Sequence, residues 1–371
     1  MEKIKEILNK GLEEYENRHK IVGYKKITIK AIKNCKTEKM GAHKYVCDEC
    51  GYAEIAYNSC RNRHCPNCQI MKKLKWIEAR KEEVLNIKYY HVVFTIPSEL
   101  YNIVYQNQSK MYNVLFKAAS ETIQELAEDK KYLGAEIGFF SILHTWGQNL
   151  MYHPHIHCVV TGGGLTKLGK WVEKEEEFFI PVKVMSRKFR GKFLNYMKKE
   201  KIEFYGQNKD LENPATYNSL IQSLYNKEWI VYCKEPFKNA ESVIQYLGRY
   251  THRVAISNER MLKIEEGKVT FKWRDYKDGN KMKEMTVSIE EFIRRFLLHI
   301  LPPRFMKIRY YGLLGNKNKK KKLLRCKILT RTKIKTKKEF PTLELLKKKI
   351  GKDFNLCPCC KRGHMLIYNT T

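Results

Sequence analysis

Two spacings of apolar residues divide the chain into strands and helices. In HPHIHCVV, residues 153 to 160, polar and apolar positions alternate. Alternation is the period of a strand, so His153, His155 and His157 are expected on one face and Ile156, Cys158 and Val160 on the other. HVVFTIP (91–97), ended by Pro97, and IGFFSILHTW (137–146) are two more strand-like runs. The short connection GQNLMY between the second run and the histidine strand predicts an antiparallel hairpin, with Gly162, Gly163 and Gly164 ending the strand. Residues 98–131 carry helical spacing, and Ser98 is the expected N-cap.

A Lys/Glu-rich stretch with helical patches follows, from about residue 165 to 235. KNAESVIQYLGRYTHRVAIS (238–257) then predicts a helix capped by Asn239, with Val243, Ile244 and Leu247 at its apolar positions. Tyr246 and Tyr250 are four apart and share a face, and Arg249 and Arg253 sit beside them. KVTFKWRDY (268–276) alternates apolar residues with Lys268, Lys272 and Arg274, so a strand with a basic outer face is expected there. EEFIRRFLLHIL predicts an amphipathic helix, and the basic segment from Lys317 to Lys322 is expected to be mobile. No internal repeat is visible. Downstream of the first cysteine cluster the organisation is mixed α/β.

Composition narrows the partner. At 371 residues and 43% hydrophobic content the chain supports two or more domains with a real core, which excludes wholesale disorder. Lys and Arg number 72 against 40 Asp and Glu, a formal charge of +32. Such an excess favours a polyanion, because each neutralised phosphate releases counterions. With 23 Tyr and 16 Phe available for stacking on bases, nucleic acid is the expected partner. No apolar run reaches the roughly 18 residues of a membrane span, and MEKIKEILNK lacks the apolar core of a signal peptide. A cytoplasmic, nucleoid-associated protein is expected, without membrane contact.

A reducing compartment keeps thiols free, so the twelve cysteines call for metal rather than disulfides. CDECGYAEIAYNSCRNRHCPNC places Cys47 and Cys50 in one knuckle and Cys65 and Cys68 in another. Two such knuckles predict a tetrahedral structural zinc site. Cys60 and His64 lie within the cluster as spare ligands, and Cys60 is read as a small buried residue. Arg61, Arg63, Lys72, Lys73 and Lys75 crowd the second knuckle and are expected to present a basic surface to DNA. CPCCKRGHM (357–365) offers Cys357 and Cys360 as half of a second zinc site, with Cys359 and His364 nearby. The other half would have to come from elsewhere, with Cys326, Cys60 and His64 as candidates.

His155 and His157 form a compact pair of imidazole ligands that leaves a divalent ion open positions for a phosphate oxygen. Tyrosine suits DNA breakage with strand retention, since its phenoxide can attack phosphorus, hold one end covalently and later leave. The histidine strand and the tyrosine helix are therefore read as two halves of one site.

These features together resemble a known family. YNSCRNRHCPNCQ, HVVFTIPSEL, HTWGQNLMYHPHIHCVVTGGG, YLGRYTHR, EEFIRRFLLHILPPRFMKIRYYGLL and CPCC occur in the order expected of a transposase of the insertion sequence 91 family, across nearly the whole chain. That family is the two-tyrosine branch of the HUH (His, hydrophobic, His) single-strand endonucleases. The resemblance implies an N-terminal zinc-binding domain, then a catalytic domain with a central antiparallel sheet and flanking helices. It implies cleavage and rejoining of single-stranded DNA through a 5′-phosphotyrosine, in rolling-circle-like transposition. Carried over by position, His155 and His157 become ligands of a catalytic Mg²⁺ or Mn²⁺, and Tyr246 and Tyr250 the nucleophiles. A polar side chain from a neighbouring element completes the ion's site in the superfamily; Gln148 is the first candidate, with Gln245 and His153 behind it. The C-terminal knuckle departs from the pattern by one extra cysteine.

The domains expected are 1–88 for zinc and DNA binding, 89–315 for catalysis, and 316–371 for a basic tail with a cysteine knuckle. Arg61, Arg63, Arg249, Arg253, Lys272 and Arg274 are the expected DNA contacts. Two competing readings make different predictions. A zinc-dependent DNA-binding protein without catalysis would form no covalent adduct with DNA, and a metal-dependent hydrolase would cut DNA without one.

Overall fold

A computed structural model describes residues 3–173, 180–237, 242, 243, 246, 248, 254–276, 278–334, 344, 347, 351 and 353–370. In chain order its strands are β1 (Ala42–Cys47), β2 (Ala53–Tyr57), β3 (Tyr89–Thr95), β4 (Glu136–Trp146), β5 (Tyr152–Leu165), β6 (Trp171–Glu173), β7 (Val231–Phe237), β8 (Met261–Glu265), β9 (Lys268–Asp275), β10 (Lys281–Ser288), β11 (Ile308–Gly312) and β12 (Met365–Thr370). The central sheet runs β11-β4-β5-β3-β7, with β6 paired to the end of β5, and every adjacent pair is antiparallel. Two smaller antiparallel sheets run β10-β9-β8 and β12-β1-β2. The fold is α+β around a central antiparallel sheet.

Alternation along β5 separates two cores. Ile156, Cys158 and Val160 join Val92, Phe94, Phe139 and Leu143 on one face, where the helices Gln108–Glu128 and Val182–Lys199 bury Met111, Leu115, Phe116, Phe189 and Phe193 against them. Period-3.6 spacing in the first of these helices keeps Met111, Leu115, Ala118, Ala119 and Thr122 on one buried stripe. Phe140, Ile142 and Val159 line the opposite face with Val243, Leu313, Leu323 and Cys326, and Trp76 and Tyr246 are packed at its edge.

A third core joins distant segments. Ile4, Ile7 and Leu8 of the helix Lys3–Arg18 pack with Phe271 of β9 and with Phe292 and Phe296 of the helix Ile289–Leu298. This core crosses the boundary expected at residue 88. Ser288 begins the latter helix, its hydroxyl accepting from the Glu291 amide at 3.1 Å. Pairing of β12 with β1 likewise carries the last described residues back to the N-terminal region.

Three local expectations are corrected. The glycine run does not end β5, which continues to Leu165. A Cβ on Gly163 would lie 2.6 Å from the Trp171 ring and one on Gly164 2.5 Å from the Glu136 carbonyl oxygen, so these glycines let β6 and β4 close on the strand. Ser98 starts a short 3-10 turn and makes no capping bond; the helix proper begins at Tyr101 and is interrupted at Asn107. There the Asn107 side chain binds the Glu203 backbone instead, donating to its carbonyl at 2.7 Å and accepting from its amide at 2.9 Å. From Lys319 onward the basic segment is part of a helix, Lys319–Leu329, that buries Leu323 and Cys326. Lys319 pairs with Glu83 at 2.7 Å and Lys322 with Glu136 at 2.6 Å. Among the described residues no helix is long and apolar enough to cross a membrane.

Candidate functional site

The central strands bring four histidines together on one sheet face, and a tyrosine from a helical segment joins them. β4 and β5 pair Ile142 with His157 and His144 with His155, while Trp146 pairs with Tyr152. The register slips by one residue between the last two pairs. Without that irregularity His144 would face Pro154; with it, His144 stands opposite a histidine. The ligating nitrogens of His144, His155 and His157 all lie within 4.8 Å of one another, and all three residues are buried or nearly so.

Hydrogen bonds fix which nitrogens face the common point. His155 Nδ1 lies 2.6 Å from the His153 carbonyl oxygen and so carries the proton it donates there. The lone pair of His155 is therefore on Nε2, which lies 3.0 Å from His157 Nε2. Two ligand atoms at about 2.1 Å from one ion and at right angles to each other are about 3.0 Å apart, so this pair fits one octahedral or near-octahedral ion. An imidazole donor set suits a transition ion better than Mg²⁺, which prefers oxygen.

His91, on β3, was not singled out by the sequence pattern. Its Nε2 lies 2.9 Å from His157 Nδ1, and the Tyr246 hydroxyl lies 2.5 Å from the same Nε2 and 3.3 Å from His157 Nδ1. With His157 Nε2 turned to the common point, its Nδ1–H is a donor; the tyrosine O–H, the nearer of the two donors, takes the one lone pair of His91 Nε2, and the His157 Nδ1–H faces the tyrosine oxygen. Burial, then the charge of Lys234 and His155, holds the His91 pKa down to about 3, so the ring is a neutral acceptor. The helical residues Val243, Tyr246 and Gly248 reach this face beside the helix Gln69–Lys81: a Cβ on Gly248 would come within 2.9 Å of Ile77. Gly248 is thus the point of close helix contact that sets Tyr246 over the histidines.

Gln148 does not join this group. It lies in the turn between β4 and β5, and its amide donates to the Tyr276 hydroxyl at 2.9 Å. His153 is not in the group either: its ring lies 4.9 Å from that of His155, but its Nδ1 is hydrogen-bonded with the Tyr101 hydroxyl. Tyr250, Gln245, Asn239, Arg249 and Arg253 lie outside the described residues.

The cysteines regroup in the same manner. Cys47, Cys50, Cys65 and Cys68 do not meet at one point. Cys65 and Cys68 come together with Cys35 and Cys60, whereas Cys47 and Cys50 come together with Cys357 and Cys360. In the first group Cys35 and Cys60 each lie 3.5 Å from Cys68, sulfur to sulfur, and Cys65 lies 3.7 Å from Cys35. Those separations match the edge, about 3.8 Å, of a tetrahedron with zinc–sulfur bonds of about 2.3 Å. Cys60 is therefore one of a cluster rather than a lone buried thiol, and Cys35, a residue outside any CxxC pair, is the member that spacing did not reveal. His64 accepts from the Leu301 amide at 3.3 Å, and Cys326 is packed in the core of the sheet's second face.

Among known proteins, "Putative transposase y4qJ" of Sinorhizobium fredii is 43% identical over 345 residues, which span 91% of this chain and 87% of that one. "Transposase for insertion sequence element IS801" of Pseudomonas savastanoi pv. phaseolicola is 26% identical over 296 residues, 78% of this chain and 70% of that one. The family described as "Putative transposase" matches residues 138–322, and the transposase zinc-binding domain of insertion sequence 91 type matches residues 7–96. The chain belongs to the insertion sequence 91 family of transposases. No solved structure matches it significantly.

The transposase therefore carries a structural-zinc domain, and residues 7–96 contain all of Cys35, Cys60, Cys65 and Cys68. Of the expected DNA contacts, Arg61, Lys272 and Arg274 are exposed. Arg63 is half-buried, and its guanidinium donates to the carbonyls of Phe305 and Pro302, tying the zinc domain to the loop before β11. The transposase's β9 turns Val269 and Phe271 into the core and leaves Lys268, Lys272 and Arg274 outward, as alternation requires.

Proposed function

We propose that this transposase cuts and rejoins single-stranded DNA through a covalent 5′-phosphotyrosine, with Tyr246 as an attacking group and Tyr250 as its partner. One observation carries the reading: the Tyr246 hydroxyl is held by His91 and His157 on the sheet face that also bears His144 and His155. His144, His155 and His157 would hold a divalent ion. When bound, such an ion neutralises charge that develops on the scissile phosphate.

The rest of the chemistry belongs to the chain's own side chains. His91 Nε2 aims the phenol oxygen by accepting its proton in a hydrogen bond. A phosphodiester entering the site brings negative charge, which raises the basicity of the imidazoles beside it. As the phenolic O–H breaks toward His91, the oxygen attacks phosphorus and the bond to the 3′ oxygen breaks. That oxygen departs with the electron pair and is protonated, leaving a free 3′ hydroxyl and the 5′ end on tyrosine. Attack by a second 3′ hydroxyl reverses each step and joins it to the held end. Cys35, Cys60, Cys65 and Cys68 would be the ligands of the zinc in the N-terminal domain, and the exposed Arg61, Lys272 and Arg274 would contact phosphates.

The test is an end-labelled single-stranded oligonucleotide carrying the element end, incubated with protein and Mn²⁺ and run on a denaturing protein gel. A covalent adduct is expected, mapping by peptide analysis to a fragment with Tyr246 or Tyr250. Tyr246→Phe and Tyr250→Phe should each keep part of the cleavage, and the double variant should form no adduct. Cleavage without adduct would instead identify a hydrolase, binding without cleavage a DNA-binding protein, and a label on Tyr310 or Tyr311 would overturn the assignment.

A further inference from the structure

The zinc-binding domain ends at residue 96 of the family match, yet Cys47 and Cys50 within it have their sulfur partners at the other end of the chain. Cys47 Sγ lies 3.7 Å from Cys360 Sγ, and Cys50 Sγ lies 3.6 Å from Cys357 Sγ. The four sulfurs fall within 4.8 Å of one another, again near the edge of about 3.8 Å that a zinc–tetrathiolate tetrahedron has.

The two knuckles repeat one backbone plan. In each, the amide four residues after the first cysteine donates to that cysteine's carbonyl: Gly51 to Cys47 at 3.2 Å and Lys361 to Cys357 at 3.1 Å. Both donors sit in the left-handed region, Gly51 at φ 71° and Lys361 at φ 56°. Amides also point at the sulfurs, from Cys50 to Cys47 at 3.5 Å, from Cys359 to Cys357 at 3.4 Å and from Gly363 to Cys360 at 3.3 Å. Such N–H···S bonds favour thiolate over thiol, the form that binds metal.

The halves also fit each other closely. A Cβ on Gly363 would lie 2.6 Å from Cys47 Sγ and 2.6 Å from Asp48 Oδ1, so only glycine allows the approach. The Asp48 amide donates to the His364 carbonyl at 3.1 Å, and the Asp48 carboxylate accepts from the His364 amide at 2.7 Å. Beyond the knuckles, β1 and β12 continue as an antiparallel pair from Cys47 opposite Met365.

From this geometry we infer that Cys47, Cys50, Cys357 and Cys360 form a second zinc site, a two-knuckle ribbon whose halves come from opposite ends of the transposase. It ties residues 357–370 to the N-terminal region through the same sheet. A three-stranded sheet as small as β12-β1-β2 has little core of its own, with β2 fully exposed, so the metal supplies the ordering that packing cannot. Cys359, exposed beside the site and in neither cysteine group, provides an internal control.

The experiment compares full-length zinc-loaded protein with the variant Cys357→Ser/Cys360→Ser, by metal analysis and by mass-spectrometric mapping of N-ethylmaleimide labelling. In the parent, Cys47, Cys50, Cys357 and Cys360 should be protected while Cys359 reacts. The variant should hold one zinc fewer and expose Cys47 and Cys50, while Cys35, Cys60, Cys65 and Cys68 stay protected. Reactive Cys47 in the parent, equal zinc content, or continued protection of Cys47 and Cys50 in the variant would overturn the site. Should the variant unfold and lose protection everywhere, graded chelation of the parent decides: the four thiols should open together in one step, separately from the other four. Opening of Cys47 and Cys50 in step with Cys65 and Cys68 would refute it. None of these readouts depends on DNA cleavage.

Discussion

His144 and Gln148 are four residues apart, and it is His144 that stands with His155 and His157. A glutamine near two histidines is a reasonable third ligand by residue type, but Gln148 falls in the turn of the hairpin, and the register past the one-residue slip sets His144 opposite His155. The consequence is measurable. If the three histidines hold the ion, His144→Ala should lower the adduct yield and raise the Mn²⁺ concentration that it needs by about 10-fold or more, since loss of even the groups that orient metal ligands costs that much. Gln148→Ala removes only a bond to Tyr276 and should leave adduct formation within about 3-fold of the parent, a change under about 1 kcal/mol. Titrating adduct yield against Mn²⁺ distinguishes the two. Equal effects of both substitutions would mean that the three histidines do not act as a set.

At the level of elements, what was legible in the sequence depended on the range of the interaction. Strand period alone placed Ile156, Cys158 and Val160 in the core and His155 and His157 on the other face, since alternation is local. Cys35, His91 and the partners of Cys47 were not legible, because each is set by contacts between segments far apart in the chain. The CxxC spacing identified metal chemistry but not which pairs share an ion: two knuckles fourteen residues apart are compatible with one site or with two. The helix Lys319–Leu329 was hidden by its lysines. Its charges mask the pair Leu323 and Cys326, one turn apart, that fastens it to the sheet. Leu323→Ala should therefore cost about 2 kcal/mol or more in urea unfolding. Leu324→Ala, at a position 49% exposed, should stay within about 0.5 kcal/mol. A segment that was merely a solvated basic run would show no difference between them.

On the scale of the whole molecule, a formal charge of +32 does not say where DNA lies, because cations serve two purposes here. Some are internal fasteners: Arg63 spends its guanidinium on the carbonyls of Phe305 and Pro302, and Lys319 and Lys322 are paired with Glu83 and Glu136. Others, such as Lys272 and Arg274 on the outer face of β9, project into solvent. A phosphate contact releases counterions and contributes about 0.7 to the slope of log affinity against log salt for a single strand, whereas an internal fastener contributes nothing to that slope. Lys272→Ala/Arg274→Ala should accordingly flatten the slope by about 1.4 if both contact phosphates, and weaken binding of unrelated single strands to a similar degree. Arg63→Ala should leave the slope unchanged but lower thermal stability, since it strips hydrogen bonds from two carbonyls and unfastens the zinc domain from the loop before β11. Fluorescence anisotropy across a salt series, with a melting curve for each variant, separates the two classes. A flattened slope for Arg63→Ala, or an unchanged one for the β9 pair, would move the DNA path off this face of the transposase.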